Sequence, residues 1–233
     1  MKTKLSLLCI LAGFTQPVLA ANIDLANFTV QPEFKAFSED MGAALSYKAI
    51  IPAEPLGITG FDIGLEATST KMRNLAQATG SSQTNLIVPK LHLHKGLPFN
   101  FDIGAFYSSA PATNIKFYGG ELRYAILEGG VAAPAVAIRG SMTKLTGIEQ
   151  LALSTRGLDI SISKGIAMFT PYAGVGRVWV TSTPNGVPGL SEETFQQGKV
   201  FVGGNLNLGA NLAVEYDKTG STQSYSVKLG IRF

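Results

Sequence analysis

In the last ten residues of the chain every second side chain is apolar. Tyr225, Val227, Leu229, Ile231 and Phe233 alternate with Ser224, Ser226, Lys228, Gly230 and Arg232. A helix would scatter these apolar residues around its axis, whereas a strand places all five on one face. The same period recurs upstream. Leu212, Val214 and Tyr216 oppose Asn211, Glu215 and Asp217, and Leu158, Ile160 and Ile162 oppose Asp159, Ser161 and Ser163. Phe61, Ile63 and Leu65 oppose Asp62 and Glu66, while Phe101, Ile103 and Tyr107 oppose Asn100 and Asp102. A chain patterned in this way folds as sheet, with one apolar face and one polar face.

The apolar face needs a destination. Hydrophobic residues make up 45% of the sequence and mean hydropathy is +0.20. After residue 20, however, no uninterrupted apolar run reaches the ~20 residues that a membrane-spanning helix needs. Alternating strands therefore bury a shared core, as in a secreted sandwich, or turn their apolar face to lipid.

Twelve strands are predicted, at 27–37, 42–51, 58–70, 83–94, 98–108, 115–127, 132–145, 151–164, 168–182, 198–208, 210–218 and 223–233. Connections after even-numbered strands are short: Pro52 to Gly57, Lys95 to Pro98, Glu128 to Val131, Gly165 to Ala167, and Gly209. The two longest, Lys71 to Ser82 and Thr183 to Gln197, follow odd-numbered strands. Short turns at one end, long loops at the other and an even count are the pattern of transmembrane barrels. Aromatics gathered near predicted strand ends, among them Tyr47, Phe99, Tyr107, Tyr118, Tyr124, Tyr172, Trp179 and Tyr216, favour lipid over a sandwich core. The expected fold is all-β, a single closed antiparallel transmembrane β-barrel of twelve strands, with ten or eight as the fallback. Its weakest strand is the first, because Pro32 lies inside it and a closed barrel has no free edge for proline. Residues 22–41 could instead form a plug or a periplasmic segment.

The first 20 residues read as a cleaved Sec signal peptide: Lys2 and Lys4, an apolar core from Leu5 to Phe14, then Val18-Leu19-Ala20 before the cleavage point. Residues 21–233 then form the barrel. Cys9 is the only cysteine, so the mature protein has no disulfide, thiolate metal ligand or cysteine nucleophile. Formal net charge is +3; with Lys2 and Lys4 set aside the balance is nearly neutral. No basic patch points to nucleic acid.

The closing run Tyr225-Ser-Val-Lys-Leu-Gly-Ile-Arg-Phe233 resembles the C-terminal signature of bacterial outer-membrane proteins, which end in an aromatic residue preceded by alternating apolar ones. The resemblance implies localisation to the bacterial outer membrane and contact with its lipid. It also implies recognition by the barrel assembly machinery through the last strand, on Tyr225, Val227, Leu229, Ile231 and Phe233.

If the apolar sets face lipid, the other face lines a lumen. That phase places Lys48, Asp62, Glu66, Lys90, His92, His94, Asp102, Glu121, Arg123, Arg139, Asp159, Arg177, Glu215 and Asp217 inside, with Glu33, Lys35, Lys199, Lys228 and Arg232. Charges of the two signs nearly balance, which argues against a strongly selective pore. His92 and His94 share a face beside Lys90, and no Ser, Asp or Glu stands at a spacing that would complete a catalytic set. Glu121 and Arg123 form a same-face ion pair. No phosphate loop, dinucleotide fingerprint or zinc spacing occurs, so no cofactor or metal is expected. Three functions remain: a narrow, weakly selective channel for small polar solutes, a structural or surface-interaction barrel with a salt-bridged, plugged lumen, and, with least support, an enzyme acting on lipid or peptide.

Overall fold

A computed structural model describes residues 22–82, 84–110 and 113–233; the expected signal peptide lies outside them. Among the described residues ten strands alternate in direction: β1 (Phe61–Lys71), β2 (Asn85–Gly96), β3 (Phe101–Ser109), β4 (Lys116–Glu128), β5 (Ala135–Thr146), β6 (Leu151–Ser163), β7 (Phe169–Pro184), β8 (Glu193–Asn207), β9 (Asn211–Thr219) and β10 (Thr222–Arg232). Each pairs with its sequence neighbours, and β1 closes on β10 from Asp62↔Arg232 to Thr70↔Ser224. The result is one closed antiparallel barrel with no free edge. Turns at 97–100, 129–134, 164–168 and 208–210 share one end with the C-terminus, called here the turn end. Residues 72–82, 113–115, 147–150 and 185–192 and the tight turn at 220–221 form the loop end.

The strand number is corrected from twelve to ten. The ten predicted segments from 58–70 onward match β1 to β10 within a few residues, the largest difference being β8, which begins at Glu193. The first two predicted strands do not exist. Residues 27–37 and 42–51 instead contribute to helix α1 (Gln31–Leu45) and to an extended stretch that follows it. Pro32 sits in the first turn of α1, where a missing N–H is harmless. Phe34, Phe37, Met41 and Leu45 then recur at helical spacing, and all four are fully buried.

This N-terminal segment lies inside the barrel and crosses it from end to end. At the loop end, Ile23 N–H donates to Asn114 Oδ1 (3.1 Å), Leu25 N–H to Gln150 Oε1 (2.8 Å) and Asp24 N–H to the Ala78 carbonyl (2.9 Å). At the turn end, Ala53 N–H donates to Ser163 Oγ (3.0 Å) and Leu56 N–H to Asp102 Oδ1 (3.0 Å), just before the chain turns into β1. The plug is thus longer than the alternative reading of 22–41 allowed. Residues 41–53 are all buried, and Ile50 is held at φ 49°, a region that β-branched residues rarely occupy. Gly42 permits a close approach to the wall: a Cβ there would stand 2.7 Å from Val180 Cγ2 on β7.

Strand alternation sorts the remaining side chains. Ile63, Leu65, Leu91, Leu93, Leu158, Ile160, Val200, Val202, Leu229 and Ile231 point outward and are exposed, forming an apolar belt. Outward aromatics flank it, with Phe61, Phe101, Tyr124, Phe169 and Phe233 towards the turn end and Tyr107, Tyr118, Trp179, Tyr216 and Tyr225 towards the loop end. Two of the aromatics expected there lie elsewhere. Tyr47 belongs to the plug, and Tyr172 points inward and donates to Glu215 Oε2 (3.1 Å).

Candidate functional site

The inward face of the barrel carries the buried titratable residues, and the plug sets their arrangement. Nearest the turn end, Lys228 Nζ lies 2.8 Å from Asp62 Oδ1, and Arg123 Nη2 lies 2.6 Å from Asp102 Oδ2. Arg123 also donates to the carbonyls of Pro52 and Glu54, and Arg232 donates to that of Glu54 (3.5 Å). Guanidinium groups suit this task because their planar fork serves a carboxylate and backbone carbonyls together. The extended plug backbone has no ladder partner, so side chains of the wall satisfy its polar groups.

Further in, Lys90 Nζ contacts Glu66 Oε1 at 2.6 Å, and His92 contacts the other oxygen of Glu66. Arg139 bridges two carboxylates, Asp159 at 2.9 Å and Glu121 at 3.4 Å. His94 stands 3.5 Å from Glu121 and 3.3 Å from the Tyr47 hydroxyl. Its ring occupies the space over Gly104, where a Cβ would collide with it. Lys48, fully buried, reaches Asp217 Oδ1 at 3.3 Å, the Ala43 carbonyl at 2.9 Å and Ser46 Oγ at 3.1 Å. Lys199 completes this group, donating to the Tyr47 carbonyl (2.7 Å) beside Asp217 (3.6 Å).

Towards the loop end the lining changes to hydroxyl pairs and apolar side chains. Thr68 meets Ser226 (2.8 Å), Thr70 meets Ser224 (2.9 Å) and Thr143 meets Thr155 (2.7 Å). Ser38 of α1 meets Ser182 of β7 (2.8 Å). Phe34, Phe37, Met41 and Leu45 belong to one buried cluster with Phe106, Phe117, Leu153, Val178 and Val180 of the wall.

Among the sequence-predicted lining residues, Asp62, Glu66, Lys90, His92, His94, Asp102, Glu121, Arg123, Arg139, Asp159, Glu215 and Asp217 point inward from strands and are buried. Lys48 is also inside, but on the plug rather than on a strand. Arg177 is a correction: it is exposed on the outward face of β7 between Val175 and Trp179, and donates to Gln196 Oε1 (3.3 Å). Its phase was misread because Val178 and Val180, inward against the plug, are as apolar as the outward residues. Lys35 is likewise exposed, on α1 at the loop end. On β10, Tyr225, Val227, Leu229, Ile231 and Phe233 all face outward.

The lumen is therefore a set of closed ion pairs around a polypeptide segment. His92 and His94 stack on each other (ring centroids 5.6 Å apart) and are sealed beneath Tyr47 and Phe106. Tyr47, Ala53 and Glu54, which hold the plug to the wall, were not singled out as lining residues, because Tyr47 reads as a strand-end aromatic and Ala53 and Glu54 as part of the short connection from Pro52 to Gly57.

No protein-family model matches the chain, and no curated protein matches it by sequence. Solved structures similar to it are barrels. The N-terminal β-barrel domain of Pseudomonas aeruginosa OprF superposes with a TM-score of 0.38 at 11% identity, over 76% of this chain and 99% of that one. The KdgM porin in complex with disordered oligogalacturonate gives 0.36 at 10% identity, over 74% and 99%. Neisserial surface protein A gives 0.32 at 13% identity, over 74% and 95%.

Proposed function

We propose that the protein is an integral outer-membrane β-barrel sealed by its own N-terminal segment, serving as a structural or surface-interaction scaffold rather than as an open channel. One observation carries the reading: residues 41–53 cross the lumen wholly buried, with Lys48 paired to Asp217 inside it. A channel for small polar solutes needs a continuous aqueous path, and here polypeptide occupies that path. The membrane part of the reading rests on the exposed apolar belt and its aromatic flanks. In water such a belt would be an aggregation surface, whereas in a bilayer it is the lipid-facing wall of a barrel. By the usual disposition of such barrels, the turn end faces the periplasm and the loop end faces outward.

Planar-bilayer recording tests the seal. The refolded full-length mature protein is expected to insert without discrete current steps, and regular steps from it would restore the channel reading.

The C-terminal strand supports recognition by the barrel assembly machinery, since its apolar face and the terminal Phe233 remain exposed on the outside of the seam with β1. Deleting Phe233 is expected to lower the folded fraction in membranes several-fold, read as loss of the heat-modifiable band on gels. An unchanged folded fraction would remove that partner from the proposal.

A further inference from the structure

The outward face of the barrel is charged at the loop end, and its strands there carry one sign. Lys71, Lys116, Lys144, Arg156, Arg177 and Lys218 all point outward from strands and are exposed. Among the described residues none of them forms an ion pair with a carboxylate. Exposed carboxylates at this end, such as Glu149 and Glu192, belong to the loops instead. The turn end differs. There Lys95 and Lys164 spend their ammonium groups on turn carbonyls, Lys164 on those of Gly130, Val131 and Ala133.

One of the six cations, Arg156, lines a groove, and Lys144 and Arg177 lie next to it by strand register. A groove of about 450 Å³ on the outer wall is lined by Ser154, Arg156, Trp179, Thr181 and Thr194. Strand register builds it: Thr181 stands between Ser154 and Thr194, and Ser154 is paired with Lys144. One step towards the turn end, Trp179 stands between Arg156 and Gln196, and a further step brings Arg177 between Leu158 and Gly198. A Cβ at Gly198 would meet nothing within 4 Å, so the wall beside Arg177 is open on that side. The groove thus combines hydroxyl donors, the Arg156 guanidinium and the Trp179 indole, with Lys144 paired to Ser154 at one border and Arg177 one step beyond Trp179 at the other.

We propose that this groove binds the phosphate of an anionic lipid headgroup in the leaflet facing the loop end. The inference rests on the membrane reading above. A guanidinium beside hydrocarbon is disfavoured, but at the interface the penalty fades, and a phosphate there accepts paired N–H donors from it. Anionic headgroups are the opposite charge that an interfacial row of unpaired cations attracts. Trp179 supplies the amphipathic ring that interfaces favour, and the hydroxyls of Ser154, Thr181 and Thr194 supply further donors to phosphate oxygens.

The test is lipid retention by the refolded full-length mature protein in neutral detergent micelles, read by native mass spectrometry. Diphosphorylated lipid A is the charged probe and phosphatidylcholine the zwitterionic one. Lipid A is expected to stay bound preferentially. The triple substitution Lys144→Gln, Arg156→Gln, Arg177→Gln should weaken its retention by at least ~10-fold, whereas Lys164→Gln at the turn end should not. All three positions are exposed, and an unchanged circular dichroism melt shows that the triple variant is folded; Arg156→Lys with Arg177→Lys should keep most of the retention. Equal retention of both lipids, or no loss in the folded triple variant, would overturn the site. Displacement of lipid A by millimolar inorganic phosphate would reduce it to a free-anion site and also overturn the lipid assignment. Because binding is read in micelles, a barrel that conducts or fails to insert counts against the sealed-scaffold reading and leaves this result separately legible.

Discussion

Excising residues 22–53 is expected to convert a silent barrel into one that conducts. The ten-strand wall closes on itself without help from the plug, since the β1–β10 seam runs through nine residue pairs. What the plug contributes is lumen filling: Phe34, Phe37, Met41 and Leu45 occupy the loop half, while Tyr47, Lys48 and Ile50 occupy the charged half. Without them the hydroxyl rows and ion pairs face a cavity large enough to hold a helix, and water and ions enter it. The excised chain should also be less stable, because truncating a single buried phenylalanine costs about 3–5 kcal/mol and three are lost here, Phe28, Phe34 and Phe37. A tethered form separates sealing from stability. Ser38 and Ser182 hydroxyls lie 2.8 Å apart, so Ser38→Cys with Ser182→Cys places two thiols within bonding reach in a mature chain expected to contain no other cysteine. The oxidised tether should stay silent, and the excised barrel should show discrete steps. If a folded, heat-modifiable excised barrel is as silent as the full chain, the wall's own side chains close the lumen and the plug is not the seal.

The wall was legible in the sequence because strand period and the outward exposure of the apolar set reinforce each other. Wherever the inward set is polar, as with Asp62, Glu66, Lys90 and Glu215, alternation alone assigns the face correctly. It fails where both faces are apolar. On β7, Val178 and Val180 point at the plug while Val175 and Trp179 point outward, and Arg177 was drawn to the wrong side. The plug failed for a related reason. Residues 46–53, which follow the helix, are extended and largely apolar, which is how a strand reads, yet the backbone of Tyr47, Pro52 and Ala53 is held by Lys199, Arg123 and Ser163 rather than by a ladder. The helix before them was detectable: Pro32 in the first turn, with Phe34, Phe37, Met41 and Leu45 at helical spacing, fits no strand. Pairing partners inside the lumen were not detectable, since the contact of Lys48 with Asp217 spans most of the chain. The outward cations Lys144 and Arg156 are legible from the sequence, since the position of each within its strand already gives its face.

Replacing Asp217 by leucine is expected to be among the most destabilising single changes in the barrel, and to loosen the seal as well. Asp217 faces two ammonium groups, Lys48 at 3.3 Å and Lys199 at 3.6 Å, and accepts from Thr219 Oγ1 at 3.2 Å. All four side chains are buried. Removing the only member with negative charge leaves two cations facing each other away from water, and breaking a buried pair in this way costs about 3–5 kcal/mol. Lys48→Met is expected to cost much less. Asp217 then keeps Lys199 and Thr219, and the Ala43 carbonyl loses a donor rather than gaining a stranded charge. The double substitution Lys48→Met, Asp217→Leu should recover part of the single-site loss, as coupled neighbours do. Denaturant midpoints followed by the fluorescence of Trp179, the chain's one tryptophan, give all three values. Because Lys48 is carried by the plug and Asp217 by the wall, Asp217→Leu should also produce intermittent current in bilayers, while Lys48→Met stays silent. A cost for Asp217→Leu below about 1 kcal/mol, the scale of a solvated surface pair, would mean that water reaches this group. The plug would then be a loose occupant of the lumen and not its closure.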